Sequence, residues 1–339
     1  MSDTLAVAVV IPARDALPEV LDAVDSAVAQ TCPPAEVLVV DDSSRDGTGT
    51  AVEERFGGDR RAPVRVLRGC FGSAAAARNA GWRAAAAPWI ALLDADDVWE
   101  PEKLERAAEV LARAPEAAWF FSDGSFRTLG GEVHPSWLAL YAELPEAYVG
   151  SPVAELFEVN FVLTSSVVAR REALELTGGF DETLSHAEDL DLWIRLARRW
   201  PAAASRRALV RYQHREGGLS GQHERRLLGD VELFGRLVAD PALPDVLRRR
   251  ARVRCSLAHY KLAVAALRVA DAAAARRHLR GSWLFPERAL PVAVAFLASL
   301  LPPVWLAGLR RQAWATRPVG RGLVSQRRVR LRGAAGHGA

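Results

Sequence analysis

The chain has 339 residues, enough to bury a full hydrophobic core, so we expect one large domain and a smaller unit behind it. Half of the residues are hydrophobic and a quarter are charged, which excludes disorder over most of the length. The formal net charge is only +3, although the last thirty residues hold eight Arg and neither Asp nor Glu. Such a tail could meet anionic lipid, nucleic acid or only water, so charge alone does not identify a partner.

The cysteines and the N-terminus indicate a cytoplasmic protein. Cys32, Cys70 and Cys255 are far apart and form no Cys-x-x-Cys pair, which argues against a zinc site and a disulfide framework. The apolar run 5–11 lacks a preceding basic segment and is too short for a secretion signal, so we interpret it as a strand. The strong preference for Arg over Lys is typical of a GC-rich, hence bacterial, genome.

Apolar strands alternate with helices over the first hundred residues. Strands are predicted at 7–11, 36–40, 64–67 and 90–93, and helices at 17–30, 48–56 and 74–86. The alternation predicts an α/β domain in which helices cover both faces of a mostly parallel sheet. Ligands of such sheets bind beyond the carboxyl ends of the strands, which here carry residues 12–15, 41–42 and 94–97.

The second half of the chain has weaker periodicity. We expect loops and short strands over 119–161, a strand at 165–169, a short helix to Leu176 and a helix beginning near Glu188. These elements complete a first domain over residues 1–218. We expect a helical region over 219–310 and a basic, disordered tail over 311–339.

Residues 289–309 form a charge-free segment interrupted by Pro291, Pro302 and Pro303. A spanning helix needs about twenty apolar residues, yet paired prolines disrupt helical hydrogen bonds. Three alternatives stay open: a membrane-spanning helix, contact with the inner membrane surface through 289–311, or soluble helical packing.

The cluster Asp94-Ala95-Asp96-Asp97 at the end of a predicted strand is a candidate metal site. Carboxylates spaced by one residue can both reach a hard divalent ion, whose shell diphosphate oxygens and water then complete. Acidic pairs also serve as caps and turns at strand ends, so the cluster alone does not decide between these roles.

Four ordered segments together resemble glycosyltransferase family 2, whose members have the GT-A fold. They are VVIPARD at 9–15, VVDDSSRDGT at 39–48, ARNAG at 77–81 and LLDADD at 92–97. The first departs from the commoner VIPxYN. The resemblance implies a Rossmann-like GT-A domain with a nucleotide-sugar half over about 1–100, an acceptor half over about 101–218, and a helical region behind them.

The resemblance also implies roles for the residues of these segments. The nucleotide-sugar would be bound by Pro12, Ala13, Asp15, Asp42, Arg78, Asp94 and Ala95. Asp96 would be the direct ligand of Mg²⁺ or Mn²⁺. For the acids of the second segment, turn and helix-cap chemistry is the alternative interpretation.

Two later segments, GGFDE at 178–182 and HAEDLDLW at 186–193, resemble the motif that supplies the family's catalytic base. That position is Asp189, while Glu188, Asp191 and Trp193 are candidates for supporting or acceptor contacts. A carboxylate can take the acceptor hydroxyl proton late in the reaction. Favourable interaction of acids with a helix N-terminus is the alternative explanation.

Some features fit only in part. His214 lies where relatives place a histidine at the metal or diphosphate, although a structural role is as good an explanation. The QxxRW signature of processive synthases does not follow the acidic motif, which favours transfer of one sugar. Aromatic residues at 119, 137, 141 and 148 could stack on an acceptor sugar or belong to the core.

The resemblance implies an inverting transferase that moves a sugar from a nucleoside diphosphate sugar, with UDP favoured, to an acceptor hydroxyl. The acceptor could be a carbohydrate, a lipid-linked glycan or a small molecule, and no nucleic acid is expected. Two other functions stay open: a relative that binds nucleotide-sugar without turnover, and a sugar nucleotidyltransferase. Against the second, the first strand of this chain is not followed by the Gly-rich loop that would bind a triphosphate.

Overall fold

The computed structural model describes residues 5–59, 61–128, 131–213, 223–282, 289–300, 328–331 and 333. They fall into two compact units. The first comprises 1–183, 188–216 and 328–339, and the second comprises 184–187 and 217–327.

The first unit is built on a mixed sheet in the order β3-β2-β1-β4-β10-β6-β11-β5, with β7 beside β6 and β9 beside β11, while β8 pairs with β12 apart from it. The strands are Val7–Ala13 (β1), Glu36–Asp42 (β2), Val64–Gly69 (β3), Trp89–Leu92 (β4), Val98–Trp99 (β5), Trp119–Arg127 (β6), Val133–His134 (β7), Ala142–Glu143 (β8), Ala147–Gly150 (β9), Val168–Arg170 (β10), Ala202–Gln213 (β11) and Val329–Arg330 (β12).

Helices follow several strands of the first unit, and all the described secondary-structure elements of the second unit are helices. The helices are Glu19–Val28 (α1), Thr48–Phe56 (α2), Ala74–Ala84 (α3), Lys103–Ala112 (α4), Leu138–Tyr141 (α5), Val153–Leu156 (α6), Arg171–Thr177 (α7), Glu188–Ala197 (α8), His223–Ala239 (α9), Asp245–Arg268 (α10), Ala272–Ser282 (α11) and Ala289–Ser299 (α12).

The alternating side chains of β1 and β2 explain the helices on both faces. Val9 and Val39 belong to the buried cluster that contains the apolar side of α1. A Cβ atom on Gly81 of α3 would lie 2.3 Å from Val10 and 2.9 Å from Val40. Because neighbouring residues of a strand point to opposite faces, α1 and α3 cover opposite sides of the sheet. The predicted α/β class is confirmed.

Parallel pairing sets the direction of the strands at the centre of the sheet. Strand β1 is parallel to β2 and β4, while β10 is antiparallel to both β4 and β6. Strand β6 therefore has the same direction as β4, and β11 is parallel to β6. The carboxyl ends of β1, β2, β4, β6 and β11 consequently lie at one edge of the sheet.

Three expectations from sequence differ from the structure. Within the predicted loops and short strands of 119–161, β6 is a nine-residue strand, buried over its first six residues. The twelve-residue strand β11 has no counterpart among the predicted elements. In the tail predicted to be disordered, Val329–Arg330 forms β12, parallel to β8.

The charge-free segment is helical where the structure describes it. Helix α12 has eleven residues, and 301–309 lie outside the described residues. Within the ranges given above, every helix is too short or too polar to span a bilayer.

The Gly178-Gly179 turn ends α7 and gives a stability test with an internal control. Both glycines have positive φ, at 82° and 74°. A Cβ on Gly178 would contact nothing within 4 Å, whereas one on Gly179 would lie 2.5 Å from Asn79 Oδ1 and 2.8 Å from Trp82 Nε1.

Substitution of Gly178 by Ala is expected to cost about 1 kcal/mol of unfolding free energy, from the left-handed backbone alone. Gly179→Ala adds a steric clash and should cost roughly 2 to 4 kcal/mol. Urea unfolding of the two variants and the parent measures the difference. Equal losses would contradict the tight packing around Gly179.

Candidate active site

Arg78 joins two acidic segments that are distant in sequence. It lies on α3, which begins at Ser73, whose hydroxyl accepts from the Ala76 amide at 3.1 Å. The buried guanidinium contacts Asp94 Oδ1 through Nη2 at 2.7 Å and Glu188 Oε1 through Nη1 at 3.1 Å. Although burial opposes its charge, these carboxylates raise the pKa of Arg78 above its ordinary value. The loop after β4 and the start of α8 are thereby held together.

The loop after β4 alternates accessible and buried side chains. Asp94 and Asp96 are partly accessible, whereas Ala95 and Asp97 are buried. The Ser165 hydroxyl accepts from the Asp94 amide at 3.0 Å and donates to Asp97 Oδ2 at 2.5 Å. Burial, and then the like charges of Asp94 and Asp96, raise the pKa of Asp97 well above its usual range. Asp94 and Asp96 are thus the carboxylates that a ligand can reach, and Ala95 can contribute only its backbone.

Asp189 occupies the first turn of α8. Its carboxylate accepts from Asn160 Nδ2 at 3.0 Å and from the Leu190 amide at 2.6 Å. Burial and the neighbouring Glu188 raise the pKa of Asp189 to about 6, against the opposing effects of its hydrogen bonds and of Arg78. A carboxyl with this pKa is mostly ionised at neutral pH and still basic enough to accept a proton.

The predicted nucleotide residues lie at the ends of β1 and β2. Pro12 and Ala13 close β1, and Asp15, at φ 46°, accepts from the Arg45 amide at 2.7 Å. Asp42 Oδ1 accepts from the amides of Phe71 and Gly72 at 2.5 and 3.0 Å. In the structure, therefore, the Asp42 carboxylate holds the loop after β3.

A cavity of about 370 Å³ lies at the ends of β2 and β3 beside the start of α2. Short and polar side chains dominate its wall, and the one long cationic side chain is that of Arg68. Its lining residues are Asp41, Ser43, Ser44, Gly47, Gly49, Thr50, Arg68 and Gly69.

Two of the supporting candidates on α8 point away from the acidic network. Trp193 is fully buried and stacks on Trp119, with ring centroids 5.9 Å apart, so its side chain cannot contact an acceptor. Asp191 forms an ion pair with Arg195, which donates to the carbonyls of Thr177 and Gly179. These residues anchor α8 and the turn before it.

The aromatic candidates for acceptor stacking divide by burial. Trp119, Tyr141 and Tyr148 are at most 5 % exposed and belong to the core. Trp137 is partly exposed. Of the four, it alone retains substantial accessible surface.

His214 lies outside the described residues, so its predicted role as a metal ligand stays a prediction. Within the described part of the chain, no three His, Cys, Asp or Glu side chains converge on a ready-made metal site. Mg²⁺ needs fewer protein ligands than this, because it commonly binds one or two carboxylates together with phosphate oxygens and water.

Two polar residues of the network were not identified from sequence. Ser165 fixes the loop after β4, and Asn160 donates to Asp189. Both lie in loops or a short 3₁₀ turn between weakly patterned segments, and neither carries a motif of its own. Only the fold brings them to the carboxylates.

Comparison with known proteins shows that the chain is similar to glycosyltransferases. The family described as glycosyl transferase family 2 matches residues 8–175. The succinoglycan biosynthesis protein ExoO of Rhizobium meliloti is 32% identical over 253 residues, covering 71% of this chain and 68% of its own length. TuaG, named for teichuronic acid biosynthesis in Bacillus subtilis, is 36% identical over 105 residues, covering 31% of this chain and only 41% of TuaG.

Solved structures share the fold at low sequence identity. S. aureus TarS 1–349 in complex with UDP-GlcNAc has a TM-score of 0.63 at 16% identity, covering 91% of this chain and 92% of that one. Mannosyltransferase PcManGT from Pyrobaculum calidifontis, in complex with GDP-Man and Mn²⁺, has a TM-score of 0.59 at 18% identity, covering 92% and 88%.

Proposed function

The chain belongs to glycosyltransferase family 2 and is a glycosyltransferase enzyme, and from this premise we propose that it transfers one sugar, with inversion, from a nucleoside diphosphate sugar to an acceptor hydroxyl. The observation that carries the proposal is the double contact of Arg78 with Asp94 and Glu188. It brings the acids suited to the donor diphosphate next to the residue suited to be the base.

The donor half of the proposal rests on the accessible carboxylates Asp94 and Asp96. They fit a Mg²⁺ or Mn²⁺ ion because they are hard oxygen ligands one residue apart, and their like charges already raise the pKa of Asp97. A bound divalent ion would supply charge neutralisation of the diphosphate leaving group. The nucleoside would lie toward the ends of β1 and β2, beside Asp15 and Asp42.

UDP is favoured as the nucleotide. This expectation comes from the family resemblance. The structure of TarS in complex with UDP-GlcNAc, which has a similar fold, supports it. A GDP-sugar is the alternative that the other neighbour illustrates. The assay below distinguishes the two.

The acceptor half of the proposal rests on Asp189. Its carboxylate accepts two hydrogen bonds, from Asn160 and Leu190, so its orientation is fixed before the acceptor arrives. It would take the hydroxyl proton as the acceptor oxygen approaches the anomeric carbon, and attack from the face opposite the diphosphate inverts that centre. We infer a role in bacterial polysaccharide biosynthesis from the relatives ExoO and TuaG, which are named for such pathways.

Purified protein incubated with UDP-, GDP-, and dTDP-sugars and Mn²⁺ tests the donor. We expect one donor to raise the melting temperature, to be slowly hydrolysed, and to lose both effects in EDTA. Asp96→Asn should weaken this metal-dependent response, while Asp25→Asn, which removes an exposed carboxylate paired to Arg61, should leave it unchanged. Failure of every nucleotide-sugar to stabilise or react would contradict the proposed donor class.

Asp189→Asn should lower transfer by a factor of about 10² to 10⁴ while donor binding is retained, because only the proton acceptor is lost. In the parent enzyme, kcat/KM should rise about tenfold per pH unit below pH 6 and level above it, since the base acts when ionised. Asp191→Asn is the matched control on α8 and should retain most activity. Equal losses in both variants would show that the helix, and not a base, had been disturbed.

The same raised pKa predicts a stability effect. The folded protein binds the Asp189 proton more tightly than the unfolded chain does. Ionisation of this carboxyl therefore opposes folding as the pH rises through about 6. Asp189→Asn should therefore be more stable than the parent at pH 8, by on the order of 1 kcal/mol, and not at pH 3, where the carboxyl is protonated in both the folded and the unfolded chain. A loss of stability at pH 8 would contradict this account.

A peripheral position on the inner face of the cytoplasmic membrane is a separate proposal. Val294 and Leu297 of the apolar helix α12 are 55% and 63% exposed, a surface that suits the headgroup boundary of a bilayer. The protein should sediment with vesicles of anionic phospholipid, and Leu297→Glu should weaken this. Sedimentation that lipid does not change would contradict it.

A further inference from the structure

We propose that a partly exposed aromatic cluster around Trp137 is an acceptor subsite that binds a sugar ring next to the catalytic base. The Trp137 cluster consists of Phe126, His134, Trp137, Tyr141 and Tyr212. The inference rests on the proposed transferase function and adds the chemical class of the acceptor, a saccharide.

The cluster lies at the ligand-binding edge of the sheet. Phe126 and Tyr212 are paired partners near the carboxyl ends of the parallel strands β6 and β11. The next residue of β11, Gln213, donates its amide to Asp97 Oδ1 at 3.2 Å. The aromatic side chains and the acidic loop after β4 are therefore neighbours at one edge.

Trp137 is the centre of the cluster. Its ring centroid is 4.8 Å from that of Tyr141, 5.7 Å from Tyr212 and 5.8 Å from Phe126, and Phe126 stacks on His134 at 4.5 Å. Phe126, His134, Trp137 and Tyr212 all keep partial exposure, unlike the core rings Trp119 and Trp193. A purely structural cluster of this size would gain by complete burial.

The Trp137 ring is held by the segment that orients the base. Its indole Nε1 donates to the Phe161 carbonyl at 3.0 Å, and the preceding residue, Asn160, donates to Asp189 at 3.0 Å. With its single polar atom satisfied, the indole offers an apolar surface in a fixed orientation. A sugar on that surface lies close to the group that takes its hydroxyl proton.

A buried carboxylate fixes the turn that carries Trp137. Asp123 accepts from the Leu138 amide at 2.9 Å and from the Ser136 hydroxyl at 2.5 Å, and the Trp137 amide donates to the Gly124 carbonyl at 2.7 Å. Burying a carboxylate is unfavourable, and burial raises the pKa of Asp123. The unfavourable burial of the Asp123 carboxylate thus supports the turn that carries the partly exposed Trp137.

The chemistry of the surface matches a pyranose ring. The C–H face of a sugar ring is apolar and stacks on aromatic rings, while its hydroxyls need polar partners at the rim. The side chain of His134, partly exposed beside Phe126, supplies a polar group for such a rim. A flat hydrocarbon acceptor would not need it, and a polyol without a ring would not use the aromatic face.

Ligand-observed NMR on the full chain, with UDP or GDP present, tests the subsite. The ligands are the methyl glycosides of glucose, galactose, mannose and N-acetylglucosamine, with ribitol for comparison. Trp137→Leu should weaken glycoside binding about tenfold and Trp137→Phe only two- to threefold, because Phe keeps an aromatic face. Trp89→Leu, at the amino end of β4, is the matched control and should bind as the parent does.

The proposal is overturned if no glycoside binds better than ribitol, or if Trp137→Leu binds glycosides as tightly as the parent. Should Trp137→Leu fail to fold, the parent protein still decides: the Trp137 indole N–H signal, assigned through Trp137→Phe, must shift on glycoside addition. Donor hydrolysis is recorded in parallel. A parent that binds glycosides but hydrolyses no nucleotide-sugar would sink the proposed donor chemistry and leave the saccharide subsite standing.

Discussion

The buried ion pairs of Arg78 are the constraint on which the site depends. One guanidinium compensates Asp94 on the loop after β4 and Glu188 at the start of α8, residues that no local structure would bring together. Buried charges are tolerated only when paired, and removal of one partner of such a network typically costs about 3 to 5 kcal/mol. The contact therefore ties the folding of the sheet to the assembly of the acidic cluster.

The directions of the strands explain why the remaining groups meet at this edge. Strand β10 is antiparallel to its two neighbours, which returns β6 and β11 to the direction of β4. Asp97 accepts from Gln213 at the end of β11 and from Ser165 just before β10. The acidic loop after β4 and the Trp137 cluster are thus positioned by one sheet.

Sequence predicted the first half of this unit well because its signals are local. Apolar runs rich in Val marked β1 and β2, and the acids that follow them lie where a parallel sheet binds its ligands. Strand β11 was missed because Ala202 to Ala204 favour a helix by composition, and a bulge between Ser205 and Ala208 interrupts the alternation. Its place depends on pairing with β6, some eighty residues earlier, and such long-range pairing leaves no local signal.

Residue roles were harder to predict than residue proximity. In the motif on α8, Asp189 and Trp193 are four residues apart and share one side of the helix, where Asp189 contacts Asn160 and Trp193 packs in the core, whereas Asp191 lies on the other side and contacts Arg195. Spacing alone separates these faces only when the direction of the helix relative to the sheet is known. Asn160 and Ser165 could not be predicted at all, since each acts through a contact made by the tertiary fold.

The charges around Arg78 bear on the chemistry that we propose for the site. Arg78 pairs with Asp94 and Glu188 and interacts with Asp189, in a group of acids that also contains Asp96 and Asp97. Burial and neighbouring like charges raise the pKa of Asp97 and Asp189, whereas Asp94 and Asp96 are the accessible pair of the loop after β4. A divalent ion that arrives with the donor diphosphate would stabilise that pair. Under the proposed function, this group of like charges would favour a donor that carries a divalent ion, while burial and the charge of Glu188 raise the pKa of Asp189 and make it a better proton acceptor.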